Sequence, residues 1–480
     1  MPCDELVMHF IDGKSVESMT GERRDNVNPW TRQVQSEVAR GAEGDVELAV
    51  AGARDAFDAG PWPRMTFQDR GAVLVRLAEL IEAYGDELAM ADTLDIGRPL
   101  ASTRGNDVAR AATFFRFFAD HARLATGDTY PTDGAHHAYS RFEPAGVVGS
   151  ITPWNFPLLL ESLKVAPALA WGNTVVLKPA EDSPTSAHLL ASLAVEAGLP
   201  AGAFNVVQGT GDAGRALTVS PHVDRLTFTG ATATGRLIAR AAADNLVPVS
   251  LELGGKGANL VFADADMDAA VAWSVKAIFS NSGQVCLAGS RIYVQRSIFA
   301  DFTARLVEAG EALRVGDPMD PETDLGPLAS EAHFARVSKY FDLIPAEGGK
   351  VLTGGPGEGW TFRPTVVTGL PPDSRLCTEE IFGPLAVLQP FDDEQQAVEL
   401  ANASSYGLTA LVFTRDLARA HRVAAALRAG TVWVNCFSIR DLRAPFGGLG
   451  FSGVGRDGGL FSRDFFTEPK AVTMELGRSL

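Results

Sequence analysis

Between Gly146 and Gly255 the chain keeps one rhythm: GVVGSITPW (146–154), NTVVLKP (173–179), FNVVQG (204–209), RLTFTGA (225–231) and VPVSLELGG (247–255) alternate with segments such as SAHLLASLAVEAG (186–198) and ATGRLIARAAAD (233–244). Short runs rich in Val, Ile, Phe and Thr that recur between helical patterns are the sequence form of consecutive β-α-β units. They predict a parallel sheet covered on both faces, hence an α/β fold. Ligands of such sheets sit outside the carboxyl ends of the strands, so residues just past each run are the first place to look for chemistry.

Working outward, residues from about Asp45 to Ala125 read as helical, and AATFFRFFADHA (111–122) is apolar on nearly every side, as a helix buried by the rest of the protein would be. A second alternating section from about Ala263 to Thr431, with strand candidates SRIYVQ, RPTVVTG and LTALVFT, reads as a separate α/β domain. The stretches His136 to Glu143 and Lys470 to Leu476 are short, β-like and attached to neither rhythm; they are expected to pair with each other or with another subunit.

The 480 residues exceed one ordinary core, so two or three substructures are expected. Apolar residues at 46% and charged residues at 21% match a globular protein and exclude a disordered chain. With 42 basic and 59 acidic side chains the net charge of −17 repels nucleic acid and anionic lipid, which leaves a small-molecule substrate. Cys3, Cys286, Cys377 and Cys436 are too widely spaced for a disulfide framework. With no charged-then-apolar leader and no uninterrupted apolar run of ~18 residues, a cytoplasmic protein without a membrane segment is expected. Eight histidines without H-x-x-x-H spacing or clustered acidic partners give no case for a metal.

Three residues suggest covalent chemistry. Cys286, in SNSGQVCLAGSR (280–291), is flanked by the small residues Ser282, Gly283, Ala288 and Gly289, where a substrate and a flat ring can both approach a thiol. Alone it also reads as a buried structural cysteine. A thiolate adding to a carbonyl creates an oxyanion that needs N–H donors. Asn155, fixed between Pro153 and Pro157 just past the strand GVVGSIT, is placed to supply one, although an isolated Asn is also a common turn former. Glu252 in VSLELGGKGAN runs into Gly254 and Gly255, which permit close approach of another backbone or a ligand. A partly buried glutamate there suits activation of the water that hydrolyses a thioester.

PWNFP, FTGATATG, ELGGKGAN, GQVCLAGSR, EEIFGP and PFGGLGFSGVGRDGG occur in this order, with 34 residues from Glu252 to Cys286. In these motifs the chain resembles the aldehyde dehydrogenase superfamily from about Asp12 to Val472. The resemblance implies an aldehyde dehydrogenase-like α/β fold: a Rossmann-type parallel-sheet NAD domain (1–122 and 144–251), an α/β catalytic domain (252–451) and a small β oligomerisation hairpin (123–143 and 466–480). It implies Cys286 as nucleophile, Asn155 and the Cys286 backbone N–H as oxyanion hole, and Glu252 as general base. Lys164, in LLLESLKVAP, matches a family lysine near the water and proton path, with a structural ion pair as the alternative. A homodimer or homotetramer is implied as well.

The run Gly230-Ala-Thr-Ala-Thr-Gly235 resembles a phosphate turn feeding a helix N-terminus. By the resemblance Lys178 and Glu181 hold the adenine ribose hydroxyls, Ile151, Trp154, Gly211 and Leu253 border the same groove, and Glu380 binds the nicotinamide ribose with Phe382 beside the ring. A carboxylate at Glu181, with Asp182 beside it, repels a 2′-phosphate, so NAD is expected over NADP. His333 stands where the family often has a glutamine near that ribose.

The loop VWVNCFSIRDLRAPFGG (432–448) contributes to the substrate tunnel in this family and here carries Arg440 and Arg443. Guanidinium forks match carboxylates, although a pair with Asp441 is an equally simple use. Arg110 lies in or beside the buried helix, where a lone guanidinium is costly. The pattern N-x-x-x-x-R-D-L-R-x-P-F-G-G with this arginine looks like the branch that oxidises 2-hydroxymuconic and 2-aminomuconic semialdehydes. That likeness implies Arg110, Arg440 and Arg443 as carboxylate ligands and places Leu163 and Phe446 in the tunnel wall. The expected function is oxidation of a carboxylate-bearing semialdehyde; a broad dehydrogenase for neutral or aromatic aldehydes, with structural arginines, is the alternative.

Overall fold

The five runs that decide the fold become five adjacent parallel strands in the computed structural model, which describes residues 6–132 and 135–477. Their spatial order is Val249–Glu252, Arg225–Thr229, Val147–Ile151, Thr174–Lys178, Phe204–Val206. The chain therefore starts in the middle, builds outward in one direction and returns to build the other, which opens a crevice beside Val147–Ile151 at the carboxyl edge. The register sets the edge residues side by side: Lys178 opposite Ile151, Ile151 opposite Phe228, and Thr229 opposite Glu252. The strands Val147–Ile151, Thr174–Lys178 and Arg225–Thr229 are buried throughout, as unbroken apolar runs require when helices cover both faces. One cover packs Leu74, Phe115, Leu158 and Leu190 together; the other packs Val46, Leu217 and Ile238.

Two short antiparallel strands, His9–Ile11 and Lys14–Val16, extend this sheet at one side. At the other side Gly453–Val454 pairs with Leu251 and Glu252. This last pairing was not readable in the sequence: two residues carry no periodicity, and their partner lies some two hundred residues earlier. It carries the glycine-rich PFGGLGFSGVGRDGG stretch to the side of Glu252.

Past Glu252 the chain crosses directly into a seven-stranded sheet, in which Ala258–Val261 lies parallel between Arg291–Gln295 and Thr409–Phe413. The crossing needs glycine. A Cβ on Gly254 would stand 2.2 Å from a Glu380 carboxylate oxygen, and one on Gly255 would stand 2.3 Å from the Cys286 carbonyl oxygen. The expected alternating section is thus a second α/β unit, with Phe302 and Trp433 in the packing on one face and Phe391 and Val423 on the other.

The helix Ala109–Arg123 is less enclosed than its sequence suggested. Phe114, Phe115 and Phe118 are buried, but Thr113 and Asp120 face solvent. It continues from a π-helical stretch, Thr103–Val108, an irregularity that is frequent at functional sites and has no sequence signature. The two unattached β segments pair with each other: Thr467–Glu475 runs antiparallel to His136–Pro144, with Thr129–Tyr130 as a third strand. No helix among the described residues is long and apolar enough to cross a membrane, and Cys3 lies outside them.

Candidate active site

The segment leading to Cys286 is held in an uncommon backbone. Asn281, Ser282 and Gly283 have φ of 50°, 54° and 74°, and each non-glycine residue in that region is disfavoured by roughly 1–2 kcal/mol. Side-chain bonds hold the loop there. Ser282 Oγ donates to the Gly326 carbonyl at 2.7 Å, Asn281 Nδ2 to the Asn155 carbonyl at 2.8 Å, and Gln284 Nε2 to the Asn281 carbonyl at 3.1 Å. Gln284 Oε1 accepts from Ala329 N–H at 3.0 Å. Such pinned left-handed segments are where strain is retained for function.

Asn155 sits between the strand Val147–Ile151 and the helix Pro157–Ala170 and is buried. Its Nδ2 donates to the Gln284 carbonyl at 2.9 Å, which leaves one amide proton for a ligand. Leu158 N–H at the start of the helix donates to Asp92 at 3.2 Å and anchors this corner.

A cavity of ≈ 550 Å³ brings Cys286, Glu252, Leu163, Arg110, Arg440 and Phe446 together. Cys286 is partly open to it. Burial, then the nearby Glu380 and Glu252 carboxylates, push its thiol up to about 12, against the pull of the backbone N–H groups of Cys286 and Leu287. Glu252 is buried, and neither carboxylate oxygen has a hydrogen-bond partner among the described residues. Burial and the repulsion of Asp457 hold its carboxyl well above the usual range, opposed by Lys164, Arg440 and Arg456. A buried, unpartnered carboxyl of this kind suits proton transfer rather than structural support.

Lys164 Nζ bonds both oxygens of Asp457, at 2.8 and 3.1 Å, with both side chains buried. The lysine thus has the ion pair that was its structural alternative, and that pair faces Glu252 electrostatically. Asp457 was overlooked in the sequence, where GRDGG reads as glycine turns. Its backbone exchanges two hydrogen bonds with Phe446, which joins it to the cavity wall.

The arginines divide. Arg440 stands on a loop in which Asn435 and Ser438 take positive φ and Trp433 Nε1 donates to the Ile439 carbonyl at 2.8 Å. Its guanidinium lies 4.3 Å over the Phe446 ring, and its Nε and Nη2 are buried without a hydrogen-bond partner among the described residues. Arg110 lines the same cavity and forms no ion pair among the described residues; Asp107 only attracts it at longer range. Arg98, not singled out in the sequence, also lines the cavity but is satisfied by Asp107 at 2.6 Å and stacks 4.7 Å over Phe156. Arg443 corrects an expectation. It pairs with Asp441 at 2.6 Å, is 77% exposed and stays outside the cavity, because the Arg-Asp-Leu-Arg turn folds its fourth residue back on its second.

Of the residues expected to hold a dinucleotide, Ile151 and Lys178 lie side by side at the carboxyl edge of the sheet. Burial pulls the Lys178 ammonium down to about 8, and its Nζ donates to the Pro179 carbonyl. Gly211 opens the helix Gly211–Val219, and Gly230 precedes the helix Thr232–Asp244, which has no side-chain cap at its N-terminus. Those free N–H groups at the sheet's edge fit a pyrophosphate. Leu253 is buried and closes the cavity at this side. Glu380 accepts from Gly255 N–H at 2.9 Å, and Trp154 packs against Phe382 at 5.5 Å and His333 at 4.9 Å. One neighbour was not foreseen: Arg24 donates to the Glu181 carbonyl and stands 3.9 Å from Asp182, so that carboxylate is partly offset. The residues present fit a nicotinamide dinucleotide.

A sequence model described as the aldehyde dehydrogenase family matches residues 16–472. Among curated relatives, a 2-hydroxymuconic semialdehyde dehydrogenase of Pseudomonas sp. (strain CF600) is 45% identical, over 98% of this chain and 99% of that one. A 2-aminomuconic semialdehyde dehydrogenase of Danio rerio is 42% identical, over 98% of each. Among solved structures, betaine aldehyde dehydrogenase of Staphylococcus aureus in complex with NAD+ superposes with a TM-score of 0.96 at 36% identity, over 99% of this chain and 95% of that one.

Proposed function

The chain belongs to the aldehyde dehydrogenase family, and from that premise we propose that it uses NAD to oxidise a semialdehyde bearing a carboxylate at its far end, 2-hydroxymuconic or 2-aminomuconic semialdehyde in the breakdown of aromatic compounds. Its class as an oxidoreductase acting on aldehydes follows from the family; the substrate is our reading. The observation that carries it is the Arg440 fork, buried in the wall of the cavity that holds Cys286 with Nε and Nη2 unpartnered among the described residues. A buried guanidinium without a partner is costly, and a ligand carboxylate relieves that cost. Arg110, likewise without an ion pair among the described residues, supplies a second cation in the same cavity.

In this reading the Cys286 thiol gives up its proton to water in the cavity, and the sulfur adds as thiolate to the aldehyde carbon while Asn155 Nδ2–H and the Cys286 backbone N–H hold the oxyanion. A bound NAD would supply the hydride acceptor that oxidation of the adduct needs. A thioester on Cys286 remains. Glu252 takes a proton from the water that attacks it, with the Lys164–Asp457 pair setting the field around that carboxyl, and the acid leaves. Leu163 and Phe446 flank the carbon chain. Lys178 and Glu181 hold the adenine ribose, and the Glu181 carboxylate favours NAD over NADP even where Arg24 offsets Asp182. The sheet formed by the largely exposed strand Thr467–Glu475 and the half-buried His136–Pro144 is our candidate for subunit assembly into a dimer or tetramer.

The aromatic wall of Phe156, Trp433 and Phe437 supports a second reading, a broad dehydrogenase of neutral or aromatic aldehydes. NADH production across muconic semialdehydes, dicarboxylic semialdehydes and neutral aldehydes separates the two. The first reading requires preference for the acidic substrates, and equal rates across the panel would sink it.

A further inference from the structure

We infer that His333 and Arg336 are a positioning pair for the nicotinamide half of the cofactor: from one helix face they clamp three successive backbone carbonyls, Glu380, Ile381 and Phe382, and so fix the segment that meets the nicotinamide ribose and ring. The inference rests on the reading above that places the nicotinamide half at Glu380 and Phe382.

The two side chains are three residues apart on the helix Glu331–Ala346, so they project from the same face. His333 Nε2 lies 2.8 Å from the Phe382 carbonyl oxygen. A carbonyl only accepts, so Nε2 carries the proton and Nδ1 is left as an acceptor. Arg336 completes the pattern: Nη2 donates to His333 Nδ1 at 3.3 Å and to the Ile381 carbonyl at 2.9 Å, and Nη1 donates to the Glu380 carbonyl at 3.3 Å. Burial, with Arg336 alongside, pulls the imidazole down to about 3, which disfavours a second ring proton and agrees with Nδ1 as an acceptor.

The clamped segment needs holding. Phe382 has φ of 60°, a conformation a bulky residue rarely adopts without being forced. Its ring meets Trp154 edge-on at 5.5 Å, and Trp154 also packs on the His333 ring, so one imidazole braces both the backbone and the aromatic wall. Glu380 is tied at its other end to Gly255 N–H at 2.9 Å. The same turn supports the segment bearing the nucleophile: a Cβ on Gly283 would stand only 2.1 Å from the Gly383 carbonyl oxygen. Loss of the clamp therefore bears first on the nicotinamide contacts next to Cys286; the adenosine end, at Lys178 and at Glu181 in the turn past the strand Thr174–Lys178, meets this helix at its N-cap, where Ser330 bonds Asp182, and not at the clamp.

The test compares ligands that differ only in reach. His333→Phe keeps an aromatic ring without either hydrogen bond, His333→Gln keeps a donor and an acceptor, and Arg336→Met alters an exposed side chain and should fold normally. Dissociation constants for NAD and for AMP are measured by titration calorimetry, with kcat and KM for NAD alongside. For His333→Phe and Arg336→Met, NAD should bind about tenfold more weakly, as loss of one to two hydrogen bonds implies, with AMP within about twofold of wild type and His333→Gln close to wild type. NAD affinity unchanged in both variants, or NAD and AMP weakened alike, overturns the positioning role. Failure of AMP to bind wild-type protein, or AMP binding that survives Lys178→Ala with Glu181→Ala, overturns instead the groove on which the inference stands.

Discussion

Replacing Arg440 with methionine separates a substrate ligand from a structural cation. Arg440 is half-buried, and its Nε and Nη2, which together form one edge of the guanidinium fork, are themselves buried and have no hydrogen-bond partner among the described residues. That edge matches a carboxylate in two-point contact. Each hydrogen bond to a charged group contributes about 1.5–3 kcal/mol, so loss of the pair, with the substrate carboxylate left in a dry cavity, costs roughly 3–5 kcal/mol. At about 1.4 kcal/mol per tenfold, kcat/KM for 2-hydroxymuconic semialdehyde should fall by roughly 10² to 10³·⁵. A neutral aldehyde of similar length should lose less than about threefold, because kcat/KM reports the steps through acylation and is insensitive to any effect of Arg440 on the Glu252 proton. Stability provides an independent sign. No hydrogen bond within the described residues is removed and a desolvated cation disappears, so the thermal midpoint should hold or rise. Steady-state NADH formation with both substrates, together with calorimetric melting, makes the comparison. Equal losses for the two substrates, or a sharp drop in melting temperature, would refute the reasoning and return Arg440 to a structural role.

Three other perturbations probe the rest of the site. Glu252→Gln keeps the shape of a buried side chain whose oxygens have no described partner; rapid mixing should show one equivalent of NADH per active site, followed by turnover slowed about 10²–10⁴-fold, whereas unhindered turnover contradicts the base assignment. Asp457→Asn leaves the Lys164 ammonium without its counter-charge and should cost about 3 kcal/mol in denaturant titration. Since Asp457 also holds the Glu252 carboxyl up, the acidic limb of the deacylation profile should move to lower pH, and a shift to higher pH counts against the assigned coupling. Asp92 is pushed to about 8, chiefly by burial. Its folded value lies above its unfolded one, so its contribution is fully present below the unfolded value near 4 and is lost as pH rises through 8, by at most about 1.4 kcal/mol per pH unit. Asp92→Asn should therefore flatten the decline in melting temperature between pH 5 and pH 8.5, and an unchanged slope rules this group out as its source.

How much of this was legible beforehand depended on the range of the interaction. The parallel sheet was written locally, since Val147–Ile151, Thr174–Lys178 and Arg225–Thr229 are each unbroken apolar runs between helical segments. Cys286, Glu252 and Asn155 stood out because each follows a strand or sits among small residues, and the structure collects all three around one corner. Residues defined by a partner far along the chain stayed hidden. Asp457 gains its meaning from Lys164, 293 positions earlier, and the Gly453–Val454 strand gains its own from Glu252. Arg24 was likewise invisible until the fold set it against Glu181 and Asp182. Arg443 and Arg440 are the same residue type three positions apart, and no pattern tells which turns inward; a two-residue contact with Asp441 took one out to solvent, while Trp433 held the loop that carries the other in.

The central claim is that the aldehyde reaching Cys286 carries a carboxylate. The most direct measurement is the ratio of kcat/KM for 2-hydroxymuconic semialdehyde to that for a neutral six-carbon unsaturated aldehyde, taken with NAD on the wild-type enzyme. The arginine pair predicts a ratio of about 10² or more in favour of the acidic substrate, the worth of one two-point ionic contact. A ratio near one, or preference for the neutral aldehyde, contradicts it.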